Sequence, residues 1–170
     1  MPLGYRCAVV GTASTSFKLP HRQALDVSMK TTKLDLFADY FQFYIQDDDK
    51  EYGDLSDAWT QSTVDNLLAI ADHTIGIGTV RNMDVPVYIS FVDKLPELDL
   101  TEWDRVNQSS ISCKTGRLVV AGCTDYFPDA KRFEVKPGNY EVIIGYKNLD
   151  KISDDGLDGE DSYHLFLKLK

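Results

Sequence analysis

From Leu34 onward most of this chain alternates apolar and polar residues with a period of two, the signature of strands with one buried face. Phe37–Gln46 predicts the first strand, with Phe41, Phe43 and Ile45 on one face and Tyr40, Gln42 and Tyr44 on the other. Thr74–Val80 and Val85–Val92 are β-branched runs separated by Arg81-Asn82-Met83-Asp84, which reads as a hairpin with a four-residue loop. Ser109–Cys113 and Arg117–Ala121, joined by Lys114-Thr115-Gly116, read as a second hairpin. Arg132–Val135 leads into Lys136-Pro137-Gly138-Asn139, with Pro and Gly where a type II turn places them. Tyr140–Tyr146 and Tyr163–Lys170 follow, the last with Tyr163, Leu165, Leu167 and Leu169 on one face.

One segment has helical spacing instead. In Ser62–Ala71, Ser62 or Thr63 serves as N-cap, Asp65 sits in the first turn, and Val64, Leu67, Leu68 and Ala71 share a face. Leu95–Leu100 reads as a linker. Gly76 and Gly78 stand inside a strand pattern, which favours a bulge or a close backbone approach over phosphate binding. Seven to eight short, mostly antiparallel strands with one short helix predict a mainly β chain, a single-domain β-sandwich over residues 34–170. Residues 1–33 carry five basic side chains against Asp26 alone and read as a basic N-terminal arm or an added strand, since Tyr5–Val10 has strand-like composition.

Charge changes the picture more than composition does. The 170 residues carry a net charge of −9, and two short segments account for it. Residues 47–57 and residues 150–161 each hold six carboxylates against one lysine, so the remainder of the chain is close to neutral. A concentrated field of one sign attracts an oppositely charged partner and repels nucleic acid. The candidate partner-binding residues are therefore Asp47, Asp48, Asp49, Glu51, Asp54, Asp57, Asp154, Asp155, Asp158, Glu160 and Asp161, and the expected partner is a basic protein. Antiparallel packing of Phe37–Gln46 against Tyr163–Lys170 would put both acidic segments at one end of the domain.

Rival readings of the acidic segments stay open. An EF-hand register starting at Asp47 places Tyr52 where Gly belongs and Ala58 where Glu belongs, and one starting at Asp154 places Leu165 at the last position. Calcium held between sandwich loops needs no fixed spacing, and charged loops also serve solubility alone. His21, His73 and His164 are scattered, and no nucleophile elbow or P-loop occurs, so catalysis is not indicated and no cofactor is expected. Cys7, Cys113 and Cys123 form no C-x-x-C pair, which favours free thiols in a cytosolic compartment. Neither a signal-peptide pattern nor a membrane-length apolar run is present, and a cytoplasmic location is expected.

Trp59-Thr60, Ala71-Asp72, Ile75, Arg81-Asn82 and the apolar strand Val87-Tyr88-Ile89-Ser90-Phe91 follow one another in an order that resembles the competence protein J family, the small inhibitors of the DNA-entry nuclease. Tyr40–Ile45 and Lys136-Pro137-Gly138-Asn139-Tyr140 are similar to that family's Tyr-x-x-Phe strand and Gly-x-Tyr turn, so the resemblance covers roughly residues 34–170. It implies a non-catalytic inhibitor, or an immunity-type protein, acting on a nuclease or a similar basic toxin. Nuclease clefts are cationic, and a carboxylate-rich loop fits such a cleft in place of phosphates. The alternative from a different class is a small-ligand or calcium-dependent binding module.

Overall fold

Among the described residues of the computed structural model, 30–49 and 54–170, the alternating runs form ten strands. They are β1 (Thr31–Phe37), β2 (Gln42–Asp47), β3 (Leu68–Ala71), β4 (Thr74–Gly78), β5 (Asp84–Phe91), β6 (Arg105–Cys113), β7 (Arg117–Gly122), β8 (Lys131–Glu134), β9 (Gly138–Lys147) and β10 (Ser162–Leu169). The first sheet has the order β1-β5-β10-β9-β6 and the second β3-β4-β2-β7-β8. Pairing is antiparallel except between β10 and β5, which run parallel. The chain is thus a mainly β sandwich of two five-stranded sheets with one short helix. Thr31–Lys33 belong to edge strand β1, so the sheet begins before Leu34. Tyr5–Val10, Cys7 and His21 lie outside the described residues.

The core forms where the inward positions of both sheets meet. Phe43 and Ile45 of β2, Ile75 and Ile77 of β4, Val87 and Ile89 of β5, and Tyr163, Leu165 and Leu167 of β10 are all buried, as period-two alternation requires. Full burial of each such aliphatic side chain stabilises the fold by roughly 1.5–3 kcal/mol.

Three local expectations give way to tertiary structure. First, Phe37–Gln46 is not one strand. The chain leaves the first sheet at Phe37, turns through a 3-10 segment at Asp39–Phe41 and enters the second sheet at Gln42. Small residues permit this corner: Ala38 is fully buried, and a Cβ on Gly122 would collide with the Phe37 carbonyl oxygen. Second, the helix, α1, is only Gln61–Asp65. Thr60 is its N-cap, in a reciprocal capping box with Thr63. Leu67 adopts φ 54°, ending any helical continuation, and Leu68–Ala71 pairs with β4 as an edge strand. A helix of five residues, about one and a half turns, is marginal by itself, so ladder pairing decides residues whose spacing suits either state.

Third, both expected hairpins are corners between the sheets. Arg81–Met83 carries the chain from β4 in the second sheet to β5 in the first, and Lys114–Gly116 carries it from β6 to β7. Lys136-Pro137 makes a further crossing, from β8 to β9. Cys113 and Cys123 therefore do not flank a hairpin. Cys113 is buried at the end of β6, and Cys123 is exposed beyond β7; both are free thiols. At Gly76 and Gly78 the β2–β4 ladder is uninterrupted, so close approach rather than a bulge explains the glycines. A Cβ on Gly76 would sit 2.8 Å from the Trp59 ring, and one on Gly78 would sit 2.9 Å from the Leu67 backbone.

The outer face of the first sheet carries an aromatic stack. His164 lies parallel to Tyr88 at 4.4 Å and edge-on to Trp103 at 5.0 Å, with the Lys147 ammonium 4.2 Å above the Trp103 ring. Burial, then the nearby Lys147 charge, pushes the His164 pKa down from 6.5 to about 4. The folded state therefore resists a proton that the unfolded chain accepts. The stabilisation from neutral His164 is complete above pH 6.5 and is lost as pH falls through about 4. Thermal melts from pH 7 to pH 4 should show a declining Tm whose slope is reduced in His164→Phe, a variant that keeps the stack on Tyr88. Identical slopes in the two proteins would remove His164 from the acid response.

Candidate functional site

The acidic segments leave the sandwich at opposite ends, contrary to the expectation that antiparallel packing pools them. Strands β6 and β10 both pair antiparallel with β9 and so run the same way. Asp47, the last residue of β2, is bonded to the turn that follows β6. It thus stands at the end where β10 finishes, whereas residues 150–161 enter where β10 begins.

Two carboxylates of the first segment are structural. Asp47 is 1% exposed and accepts hydrogen bonds from the Lys114 N–H (2.7 Å), the Thr115 N–H (3.2 Å) and the Thr115 hydroxyl (2.5 Å). The Cys113 thiol also points at it, 3.4 Å away. Burial alone would raise the Asp47 pKa, but these hydrogen bonds, led by that of the Thr115 hydroxyl, outweigh it and hold the carboxyl below its ordinary value. Cys113 responds in the opposite sense: burial and the adjacent Asp47 push its thiol up to about 11, so it is an inert thiol. Asp48 pairs with Arg117 at 3.0 Å and Arg132 at 3.1 Å, and Arg132 also donates to the Phe127 and Ala130 carbonyls. This first segment therefore staples the β6–β7 corner and the β7–β8 connection. Asp49 is half-buried, Glu51 lies outside the described residues, and Asp54 and Asp57 are exposed. A hydrogen bond from the Ser56 N–H, 2.8 Å, holds the Asp54 carboxyl low.

The second segment is an ordered loop fastened at one point. Asp161 is fully buried, and its Oδ1 accepts from Arg81 Nε at 2.5 Å while its Oδ2 accepts from the Tyr163 hydroxyl at 2.9 Å. The Tyr163 hydroxyl in turn accepts from the Val80 N–H, and Arg81 also donates to the carbonyls of Leu157 and Asp84. Gly159 passes so close that a Cβ would meet both Arg81 and Asp161 at 2.8 Å. An isolated bridge between Ile152 and Gly159 and turns around Ser153 and Asp155 complete the loop. Asp154, Asp155, Asp158 and Glu160 remain exposed on its outside. Of the eleven sequence-predicted residues, Asp47, Asp48 and Asp161 are thus internal anchors.

Sequence reasoning missed an apolar feature at the Arg81 end. Tyr40 is 70% exposed and Phe41 55% exposed, and both border a hollow of about 450 Å³ walled also by Trp59, Val64 and Leu67. The signal was Asp39, a poor strand former within a run otherwise full of aromatics.

Solved structures share this architecture. One is the crystal structure of ComJ, inhibitor of the DNA degrading activity of NucA, from Bacillus subtilis, with a TM-score of 0.59 and 16% identity over 83% of this chain and 96% of that one. The fold is similar to that of ComJ. A structure described as crocagin biosynthetic gene J matches with a TM-score of 0.57 and 17% identity, covering 84% of this chain and 99% of the other. At such identities the likeness to ComJ establishes the fold alone. No protein-family model and no curated protein sequence matches the chain. The residues that carry the sequence resemblance do structural work here: Thr60 caps α1, Trp59 covers Gly76, Arg81 holds Asp161, and the Asn82 side-chain oxygen accepts the Phe41 N–H at 3.3 Å.

Removing one partner of a buried ion pair strands a charge, at a cost of about 3–5 kcal/mol. Arg81→Met and Asp161→Leu should each lower stability to chemical denaturation by that order. The double variant should lose much less than the two effects added together. Additive losses would show that the pair is not energetically coupled.

Proposed function

We propose that this chain is a non-catalytic inhibitor or immunity-type protein that occludes a nuclease, or a similar basic toxin, with its exposed carboxylates. The observation that carries the reading is the confinement of the chain's excess negative charge to two segments of a fold similar to that of ComJ, whose description is an inhibitor of a DNA-degrading nuclease. Asp54, Asp57, Asp154, Asp155, Asp158 and Glu160 stand exposed in those segments, so their charges act on whatever approaches. Asp47, Asp48 and Asp161 contribute by holding the segments in place. A cationic DNA-binding cleft receives such carboxylates where it would receive phosphates.

The test uses NucA and any nuclease encoded beside this chain's gene, each assayed for DNA degradation with and without the purified protein. Inhibition should appear at low salt and weaken as ionic strength rises, because screening shortens the reach of the field. Neutralising Asp154, Asp155 and Asp158 together to Asn should slow association several-fold with little change in dissociation or in Tm, since exposed charges add little stability. Wild-type association by that variant at low salt would reduce the loop to a solubility device.

A small-ligand reading has its own observation. Gln46 Nε2, Trp59 Nε1 and Thr74 Oγ1 are buried without hydrogen-bond partners, and all three residues line a hollow of about 580 Å³ on the outer face of the second sheet. Buried polar atoms of this kind call for an explanation. Thermal stabilisation by small carboxylates or amides, abolished by Gln46→Leu, would favour this reading over occlusion. Among the described residues no group of three or more His, Cys, Asp or Glu side chains is placed to hold a metal ion.

A further inference from the structure

We propose that the hollow beside Tyr40 and Phe41 is the anchor site for a basic partner segment that carries an apolar side chain, and that charge alone does not define the binding face. The inference rests on the inhibitor reading for the partner's biological identity, but its evidence is separate.

The first observation is where the backbone is strained. Five non-glycine described residues have positive φ: Tyr40 (56°), Phe41 (58°), Leu67 (54°), His73 (60°) and Asn148 (58°). Asn and His are among the residues that tolerate this region, whereas bulky Tyr, Phe and Leu are outliers there. All three outliers line the same hollow of about 450 Å³. Such conformations cost of order 1–3 kcal/mol each and persist only where the surroundings enforce them. The enforcement is visible. The Phe41 N–H donates to the Ala38 carbonyl and to Asn82, the Thr79 N–H donates to the Phe41 carbonyl, and the Leu67 carbonyl accepts from the Gly78 N–H and the Tyr146 hydroxyl.

The second observation is that the strain returns little burial. Tyr40 and Phe41 are 70% and 55% exposed, and Val64 beside them is 47% exposed. Rigidly presented aromatics next to an apolar recess have the anatomy of an interface hot spot, where Tyr and Trp supply contact area at low entropy. The third observation is the sign of the rim. Asp39, Asp57 and Asp65 lie within two residues of Tyr40, Trp59 and Leu67 in sequence. The loop with exposed Asp155, Leu157 and Asp158 is tied to Arg81, the neighbour of Asn82, through the Leu157 carbonyl. Two cations are also near: Arg105 is bonded to Asn66, and Arg81, two residues from Thr79, is neutralised by Asp161. Carboxylates around an apolar recess complement a cationic segment with an apolar side chain at its centre.

The test needs no identified partner. Two fluorescently labelled peptides of equal positive charge serve as probes, one alternating Lys with Leu and the other Lys with Ser, both titrated into the intact chain. The Leu peptide should bind about tenfold more tightly or better. Tyr40→Asn with Phe41→Asn should abolish that preference while leaving Tm unchanged or raised, because Asn accepts the left-handed conformation. Equal binding of the two peptides, or a preference that survives the double Asn variant, would overturn the inference. So would a marked fall in Tm, since the aromatics would then serve folding. If wild type inhibits a nuclease and the double Asn variant inhibits it equally, the anchor site fails while the inhibitor reading stands. If no nuclease is inhibited yet the peptide preference is present and lost in the variant, the inhibitor reading fails while the anchor site stands.

Discussion

The contact on which both the sandwich and its working end depend is the buried ion pair of Arg81 and Asp161. Arg81 sits where the chain crosses from the second sheet to the first, and Asp161 stands immediately before β10, the central strand of the first sheet. Their side chains are 6% and 0% exposed, so neither charge is solvated except by the other and by fixed dipoles. Those dipoles are present. Tyr163 and the carbonyls of Leu157 and Asp84 give the pair further hydrogen bonds. A hydrophobic replacement of both would serve stability about as well, but it would not tie a polar loop to a crossover at a fixed distance. The pair sets where the second acidic loop stands relative to Asn82 and, through Asn82, to Phe41.

The same logic separates two kinds of carboxylate that look identical in sequence. Asp47, Asp48 and Asp161 occupy the edges of the two acidic segments, next to strands, and each is drawn inward by donors on another element. Asp54, Asp57, Asp154, Asp155 and Asp158, further into the segments, stay exposed. In these two segments the fastening aspartates are the ones at a strand end or one residue from it.

How much of this was legible follows from the range of the forces involved. Alternation is local, so the sandwich, the inward faces of β2 and β10, and the close approach at Gly76 could all be read from residues near one another. Which sheet a strand joins is not local. The short segments at 81–83 and 114–116 have hairpin-like lengths and compositions, yet each switches sheets, because β10 pairs with β5 and β2 pairs with β7. Residues 62–71 satisfy helical spacing, but Leu68–Ala71 also pair with β4, and the ladder wins after a single turn and a half. Arg81 was visible only as a loop residue, since its partner lies 80 positions away. The aromatics at 40 and 41 read as strand because nothing in their own identity announces φ near +57°; that value is imposed by Asn82, Thr79 and Ala38.

The arrangement of charge carries a last consequence for any partner. β10 has eight residues, and at about 3.3 Å per step its end residues lie roughly 23 Å apart. That is several times the Debye length of about 8 Å at physiological salt, so fields rooted at Asp47 and at Asp161 cannot act as one. The first segment does not stay at its own end, however. Leu55 and Trp59 lie across Gly76 in the middle of β4, and Trp59 reaches the hollow that Phe41 borders. Asp57 is two residues from Trp59 in the chain and is exposed. The first segment, fastened at one end of the sandwich, thus reaches through Trp59 to the apolar recess that Phe41 borders. On the proposed reading, a cationic surface steered there meets a place to bury an apolar side chain, which bare electrostatic attraction between solvated charges would not provide.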